Sequence, residues 1–465
     1  LLYSVQSPPL VVGDTVITPA SISSFNITKE APPGWMRGFD PISGRTKWTF
    51  HTIPQGDEYG NDTWAGDSWR HTGKVGVWTM MSADPELGLI YLPTNTPAPD
   101  YYGGHRLGDN LFAESVVALD IETGQREWHF QAVNHGLWDW DFPAAPNLVD
   151  VVVNGQPVKA LAQISKQGFT YVFNRETGEP IWPIEERPVP QETNMPGEVL
   201  SLTQPFPTKP PPFEYQGVLI DDLIDFTPEL RAMAVEAVRD FKLGPIFTPP
   251  LRTLEGGPEG TIQRPAIDGG ANWSGAGVDP ETGILYVPSN NRFSVLHFYT
   301  PDPAAGGTMR FTQGAFGGGR QPTMPRGLPL LKPPYGRITA IDMNTGEHIW
   351  VVPNGNGPRD HPAIAHLDLP PLGQPGRAMT LLTKSLLFVS EGDPIMVRTP
   401  PGAGADAGKG FRAYSKETGE VVWETMFPAG NVGSPVTYMY EGKQYIVLPI
   451  GSLAHPGEWL ALALP

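Results

Sequence analysis

Apolar residues along this chain fall in short runs where apolar and polar positions alternate, and Gly, Pro, Asn and Asp break the runs. That is the period of half-buried strands joined by tight turns. One phrase recurs within it: an apolar strand end, Asp or a polar stand-in, two variable positions, Thr-Gly or Ser-Gly, three more residues, then Trp. It reads GFDPISGRTKW at 38–48, ALDIETGQREW at 118–128, VFNRETGEPIW at 172–182, AIDMNTGEHIW at 340–350 and AYSKETGEVVW at 413–423. Two further copies, SADPELGLIYLP at 82–93 and GVDPETGILYVP at 277–288, keep the turn and run into a different strand. The Asp side chain bonds the turn backbone, Gly takes the positive-φ position, and the second strand carries Trp into the core. Each copy is therefore predicted to be a β-hairpin.

A hairpin cannot bury its own apolar face, so repeats at this spacing imply a stack or a ring of sheets. Successive Trp residues lie 80, 54, 168 and 73 positions apart, too uneven for a solenoid. A β-propeller with blades of roughly 60 residues fits, with the Trp residues packed between blades. The expected fold is all-β, one propeller domain over 1–465, with an insertion at about 192–262. Within the insertion, TQPFPTKPPPFEYQG (203–217) is Pro-rich and predicted to be extended. FTPELRAMAVEAVRDFKLG (226–244) predicts the one helix, with Thr227 as N-cap, Pro228 at the first position, Glu229 in the first turn and Gly244 near the stop. Its apolar stripe is Leu230, Met233, Ala234 and Val238.

Composition narrows the function. With 40% hydrophobic and 17% charged residues, the chain holds a large core and is not of the disordered class. Against 32 basic residues stand 49 acidic ones, a net charge of −17, which argues against nucleic acid or an anionic membrane as partner. The absence of Cys leaves the compartment open, and no His pair has zinc-site spacing. No apolar run approaches the length of a membrane span. No Gly-x-Gly-x-x-Gly opens a helix after a strand, so a nicotinamide site is not expected.

Longer stretches resemble the quinoprotein dehydrogenases, whose cofactor is pyrroloquinoline quinone (PQQ), and within them the glucose-dehydrogenase-like branch. They are YLPTNTPAPDYYGGHRLGDNLFAESVVALD (91–120), HGLWDWDFPAAPNLVD (135–150), SKQGFTYVFNRETGEP (165–180), EERPVPQ (185–191), FTPP (247–250) and KPPYGRITAIDMNTGEHIW (332–350), in order from about residue 10 to the end. The resemblance implies a propeller of the eight-bladed quinoprotein type, with about six blades' worth of sequence in this chain and one inserted helix. Roughly the first two blades have no counterpart, so the chain is either a fragment or processed form, or a ring closed with fewer blades. The implied activity is oxidation of a sugar, polyol or alcohol hydroxyl, with hydride passing to the quinone and electrons to an external quinone or cytochrome acceptor. The implied location is periplasmic or secreted.

By the same resemblance Asp139 is the general base beside cofactor and metal, and a cation next to it keeps the carboxylate ionised. Lys166 is the basic residue that bonds the quinone oxygens, and Trp78 is the indole beneath the cofactor ring. Asn272 and Trp273 are further cofactor contacts, with Asn290 another candidate. Asp141 is either a solvated turn residue or a second metal ligand, since alternate residues of an extended segment share a face. The implied metal ligands are Asp139, Asp141, Asn95 and Thr96; calcium is the expected ion, with magnesium or a lanthanide as alternatives. The family's acidic ligand near the first repeat falls at Ser24, with Asn26 nearby. Asn134, His135 and His105 are read as supporting or substrate-facing groups. The competing reading is a non-catalytic propeller scaffold sharing the repeat, which gives no reason for Asp139, Lys166 and Trp78 to match together.

Overall fold

Among the described residues the alternating pattern folds into six successive antiparallel sheets of three or more strands, at residues 10–50, 82–131, 147–174, 277–353, 380–426 and 430–463. This computed structural model describes all residues except 1–2, 6, 23–26, 255, 314–318, 393–405 and 465. In the first, second, fourth and fifth sheets the strands lie side by side in chain order, as hairpin connections require. No helix among the described residues is long and apolar enough to cross a membrane.

Antiparallel order sorts the connections between two ends of the molecule. Turns joining first to second and third to fourth strands lie at one end; second-to-third connections and the links to the next sheet lie at the other. The repeat turns occupy the first end. There Asp120 Oδ1 accepts the backbone N–H of Glu122 at 3.1 Å and of Thr123 at 2.7 Å, and Gly124 sits at φ 69°. The second end carries the long segments 51–81, 94–114, 132–146 and 183–276 and the shorter connection 165–169. Trp78, Asn95, Thr96, Asp139, Asp141, Lys166, Asn272 and Trp273 lie on these.

The repeat Trp residues dock as expected in three copies. Trp48 Nε1 donates to the Ile121 carbonyl at 2.9 Å, Trp128 Nε1 to Arg175 at 3.2 Å and Trp350 Nε1 to Lys416 at 3.1 Å, each in the next repeat turn. A register shift within each of these hairpins turns the indole toward that neighbour. The ring lies flat on the turn glycine: a Cβ at Gly124 would meet Trp48 at 2.5 Å, and one at Gly178 would meet Trp128 at 2.6 Å. Trp182 packs against Gly346 in the same way, although its copy pairs only through the Phe173–Pro180 bridge. Trp423 corrects the expectation: it is 44% exposed, because the sixth sheet offers it no Asp-x-x-Thr-Gly turn. Trp128→Ala is expected to cost about 3–5 kcal/mol of unfolding free energy. Trp423→Ala should cost less than about 1 kcal/mol. Urea titration of the two variants measures both.

The inserted helix spans Pro228–Val238, with Thr227 Oγ1 accepting the Leu230 N–H at 3.2 Å. It stops short of Gly244 because Gly244 pairs with Val218, and Lys242 with Thr261, drawing the chain into extended pairing. Leu230, Ala234, Ala237 and Val238 are buried, whereas Met233 is 36% exposed. The buried stripe thus takes Ala237 rather than Met233. The Pro-rich stretch is extended at Thr203–Pro207, where it pairs with Ile184–Pro188.

Candidate active site

Residues 132–146 link the second and third sheets, and the insertion grips them from one side. The Asn134 N–H donates to Gln204 Oε1 at 2.8 Å, and Gln204 Nε2 returns a bond to the Asn134 carbonyl at 2.7 Å. His135 lies between the Gly108 carbonyl (Nδ1, 2.8 Å) and Glu198 Oε1 (Nε2, 2.6 Å). Trp138 and Trp140, stacked with ring centroids 5.6 Å apart, donate their Nε1–H groups to the carbonyls of Thr248 and Pro265. With both indoles fixed in the insertion wall, the alternate residues Asp139 and Asp141 face the other way. Asp139 takes the left-handed backbone conformation, φ 57°.

Lys166, on the second-to-third connection of the third sheet, meets both carboxylates. Its Nζ is 3.2 Å from Asp139 Oδ2, 2.9 Å from Asp141 Oδ1 and 2.9 Å from the Asp139 carbonyl. The ammonium lies 5.4 Å from the ring centre of Trp78, whose Nε1 donates to Asp141 Oδ2 at 2.9 Å. The Tyr101 hydroxyl donates to Asp139 Oδ2 at 3.4 Å. Asp139 Oδ1 accepts no hydrogen bond among the described residues, and the Lys74 ammonium stands 3.9 Å from it. Lys74 in turn holds Asp100 Oδ1 at 2.5 Å.

Three carboxylates thus share two buried ammonium groups. Burial alone would lower both lysines, but the surrounding aspartates outweigh it and hold Lys74 and Lys166 above their ordinary value. Burial raises Asp100 to about 6 and raises Asp141 as well, against the pull of Lys74 and Lys166 respectively. Desolvation, then the charge of Asp139, pushes the Tyr101 phenol well up, so it stays a neutral donor.

Glu114 lies beside this cluster. Thr96 Oγ1 donates to its Oε1 at 2.7 Å, Oε2 is unpartnered, and burial pushes the carboxyl up to about 8. A carboxyl raised on folding contributes stability that is complete below its unfolded value, near 4.5, and is lost as pH rises through the folded value. Wild-type stability relative to Glu114→Gln is therefore expected to fall by a few kcal/mol between pH 4.5 and 8, as read from urea titrations across that window.

Four of the expected residues, Asp139, Asp141, Lys166 and Trp78, form one contact set. Trp273 lines a neighbouring cavity of 420 Å³ with Met80, Ala144 and Pro146. Asn272 turns back on its own loop, Nδ2 to the Asp268 carbonyl, and Asn290 braces the Gly269 and Gly270 carbonyls. That brace bears on Lys166, whose carbonyl accepts the Gly270 N–H at 2.9 Å. Asn95 Oδ1 accepts the Gly76 N–H at 2.7 Å, and Thr96 is spent on Glu114, so neither turns its side-chain oxygen to the two aspartates. Ser24 and Asn26 lie outside the described residues. His105 Nε2 accepts the Arg310 N–H at 2.9 Å, away from the carboxylates. Sequence reading missed Lys74, Asp100, Tyr101, Glu114 and Glu198. Asp100 and Tyr101 sit inside the matched stretch 91–120 and were open to notice; Lys74 carries no local signal.

The donor set suits a quinone. A buried ammonium stands over a half-buried indole, next to a cavity within the size range of small-molecule sites. It does not suit the divalent ion. Oδ2 of Asp139 and both oxygens of Asp141 are engaged by Lys166, Tyr101 or Trp78, and the ammonium of Lys166 fills the space between the two carboxylates. No group of three or more His, Cys, Asp or Glu among the described residues is arranged to hold a metal.

Comparison with known proteins bears on the family and on the fold. A family model described as the PQQ glucose/ethanol/alcohol dehydrogenase β-propeller domain matches residues 1–446. The glycerol dehydrogenase large subunit of Gluconobacter oxydans (strain 621H) is 30% identical over 479 residues, covering 96% of this chain and 61% of its own length. The quinoprotein glucose dehydrogenase of Escherichia coli (strain K12) is 30% identical over 481 residues, 97% of this chain and 56% of its own. The chain therefore spans somewhat more than half of these relatives. Among solved structures, the quinohemoprotein alcohol dehydrogenase of Comamonas testosteroni superposes with a TM-score of 0.64 at 22% identity, over 97% of this chain and 56% of that one, and so supports the fold.

Proposed function

The chain belongs to the PQQ glucose/ethanol/alcohol dehydrogenase β-propeller family, and on that premise we propose that it oxidises a sugar, polyol or alcohol hydroxyl with Asp139 as the base. One observation carries the reading: Asp139, Lys166 and Trp78, from three separate segments, converge in a single contact set. PQQ, when bound, supplies a quinone that accepts two electrons as a hydride. Lys166 would hold the quinone oxygens and Trp78 would lie under the ring, with Trp273 at the edge of the cavity. Lys166 and Tyr101 fix Oδ2 of Asp139, which leaves Oδ1 to take the proton of the substrate hydroxyl. Tyr101, kept neutral by desolvation, donates to the carboxylate without competing for that proton. Electrons then leave to an external quinone or cytochrome acceptor. The relatives named for glycerol and glucose support a polyol or sugar over a simple alcohol.

The test is reconstitution. Purified chain titrated with PQQ is expected to bind one equivalent and then to reduce an artificial dye with glycerol or glucose. Failure to bind PQQ, with or without added calcium, would overturn the proposal in favour of the scaffold reading.

A further inference from the structure

We infer that Lys74, held by Asp100, is a positioning residue of the site: its ammonium supplies, beside Asp139, positive charge that a divalent cation would otherwise bring. The inference rests on the proposed role of Asp139 as base and assigns a residue that the matched motifs leave out.

Lysine rarely stays buried, since its flexible stem lets the ammonium reach water. Lys74 is only 2% exposed, and its backbone is locked. Its N–H donates to the Pro32 carbonyl at 2.8 Å, it bridges Pro33 on one side and Pro97 on the other, and its φ is 71°. A Cβ on Gly34 would stand 1.9 Å from its carbonyl oxygen, so the segment has no room to shift outward. The ammonium is therefore built into the site. Asp100 fixes it at 2.5 Å, and the other oxygen of Asp100 is buried without a hydrogen-bond partner, so this carboxylate has no second task.

The placement answers the mismatch with a metal. Lys166 occupies a nest of three oxygens, the two carboxylates and the Asp139 carbonyl, where a shared cation would sit. Lys74 covers the opposite oxygen of Asp139 at 3.9 Å, close enough for charge but beyond a hydrogen bond, so Oδ1 keeps its lone pairs for a proton. A divalent ion on the same carboxylates would face two fixed ammonium groups at short range.

The test compares calcium uptake by the cofactor-free chain and by Lys74→Gln, which keeps a donor for Asp100 and removes the charge. Calorimetry with calcium chloride is expected to show no stoichiometric uptake by wild type and at least ten-fold tighter uptake by the variant. Stoichiometric uptake by wild type, or equal behaviour of the two, overturns the inference. This arm uses neither PQQ nor turnover, so it fails separately from the quinone reading. With PQQ bound and chelator present, Lys74→Gln is expected to lose at least ten-fold in kcat with KM unchanged, and calcium should restore part of that loss. If Lys74→Gln does not fold, the double variant Lys74→Met/Asp100→Asn, which leaves no unpaired charge behind, replaces it in both arms under the same criteria.

Discussion

Asp139→Asn is expected to bind PQQ as wild type does and to lose about a hundred- to ten-thousand-fold in kcat, the range that positioned acid–base groups supply. The substitution keeps the shape of the side chain and an oxygen for Lys166. It removes the atom that accepts the proton. Asp141 cannot stand in, because its Oδ1 lies on Lys166 and its Oδ2 takes the Trp78 N–H. Nor can Asp100, which is committed to Lys74 and raised to about 6 by burial. Asp141→Asn leaves Oδ1 of Asp139 untouched and should therefore cost far less in rate. Absorbance titration with PQQ and single-turnover dye reduction separate binding from chemistry. A rate within ten-fold of wild type for Asp139→Asn would mean that another group takes the proton.

What the sequence shows and hides follows from how local each signal is. The hairpins were legible because the roles of Asp120 and Gly124 are complete within four residues. Docking of the Trp residues was legible only where the next sheet carries a matching turn, and that condition lies outside each copy. Trp423 ends the same turn pattern, with Ser415 in place of Asp, and remains exposed for want of it. The helix begins where Thr227 and Pro228 place it, but its end is set by the pairing of Gly244 with Val218, a contact no helical period encodes. At the site, Asp139, Asp141, Lys166 and Trp78 came from the family resemblance rather than from any spacing rule. Asn95 and Thr96 came the same way, yet their side chains serve Gly76 and Glu114. Lys74 stands among glycines and a valine, and only its distant partners Asp100 and Asp139 reveal what it does.

Lys166→Met is expected to abolish PQQ binding and to destabilise the cofactor-free chain by about 3–5 kcal/mol, as loss of one partner from a buried ion pair does. Methionine fills the volume of the stem, which Gly269 closely packs: a Cβ there would meet Lys166 Cγ at 2.6 Å. The loss is therefore one of charge. Without the ammonium, Asp139 and Asp141 face each other with only Lys74, Tyr101 and Trp78 to oppose their repulsion. Asp141, already raised by burial, then rises further and takes up a proton in the folded state. A carboxyl raised on folding destabilises most above its folded value and least below its unfolded one. The penalty of Lys166→Met should accordingly be smaller at pH 5 than at pH 8, whereas an exposed ion pair of carboxylate and lysine, ionised at both values, would show no difference. Urea titrations at the two pH values measure the difference. A pH-independent penalty with PQQ affinity preserved would show that Lys166 is a packing residue whose charge the site does not use.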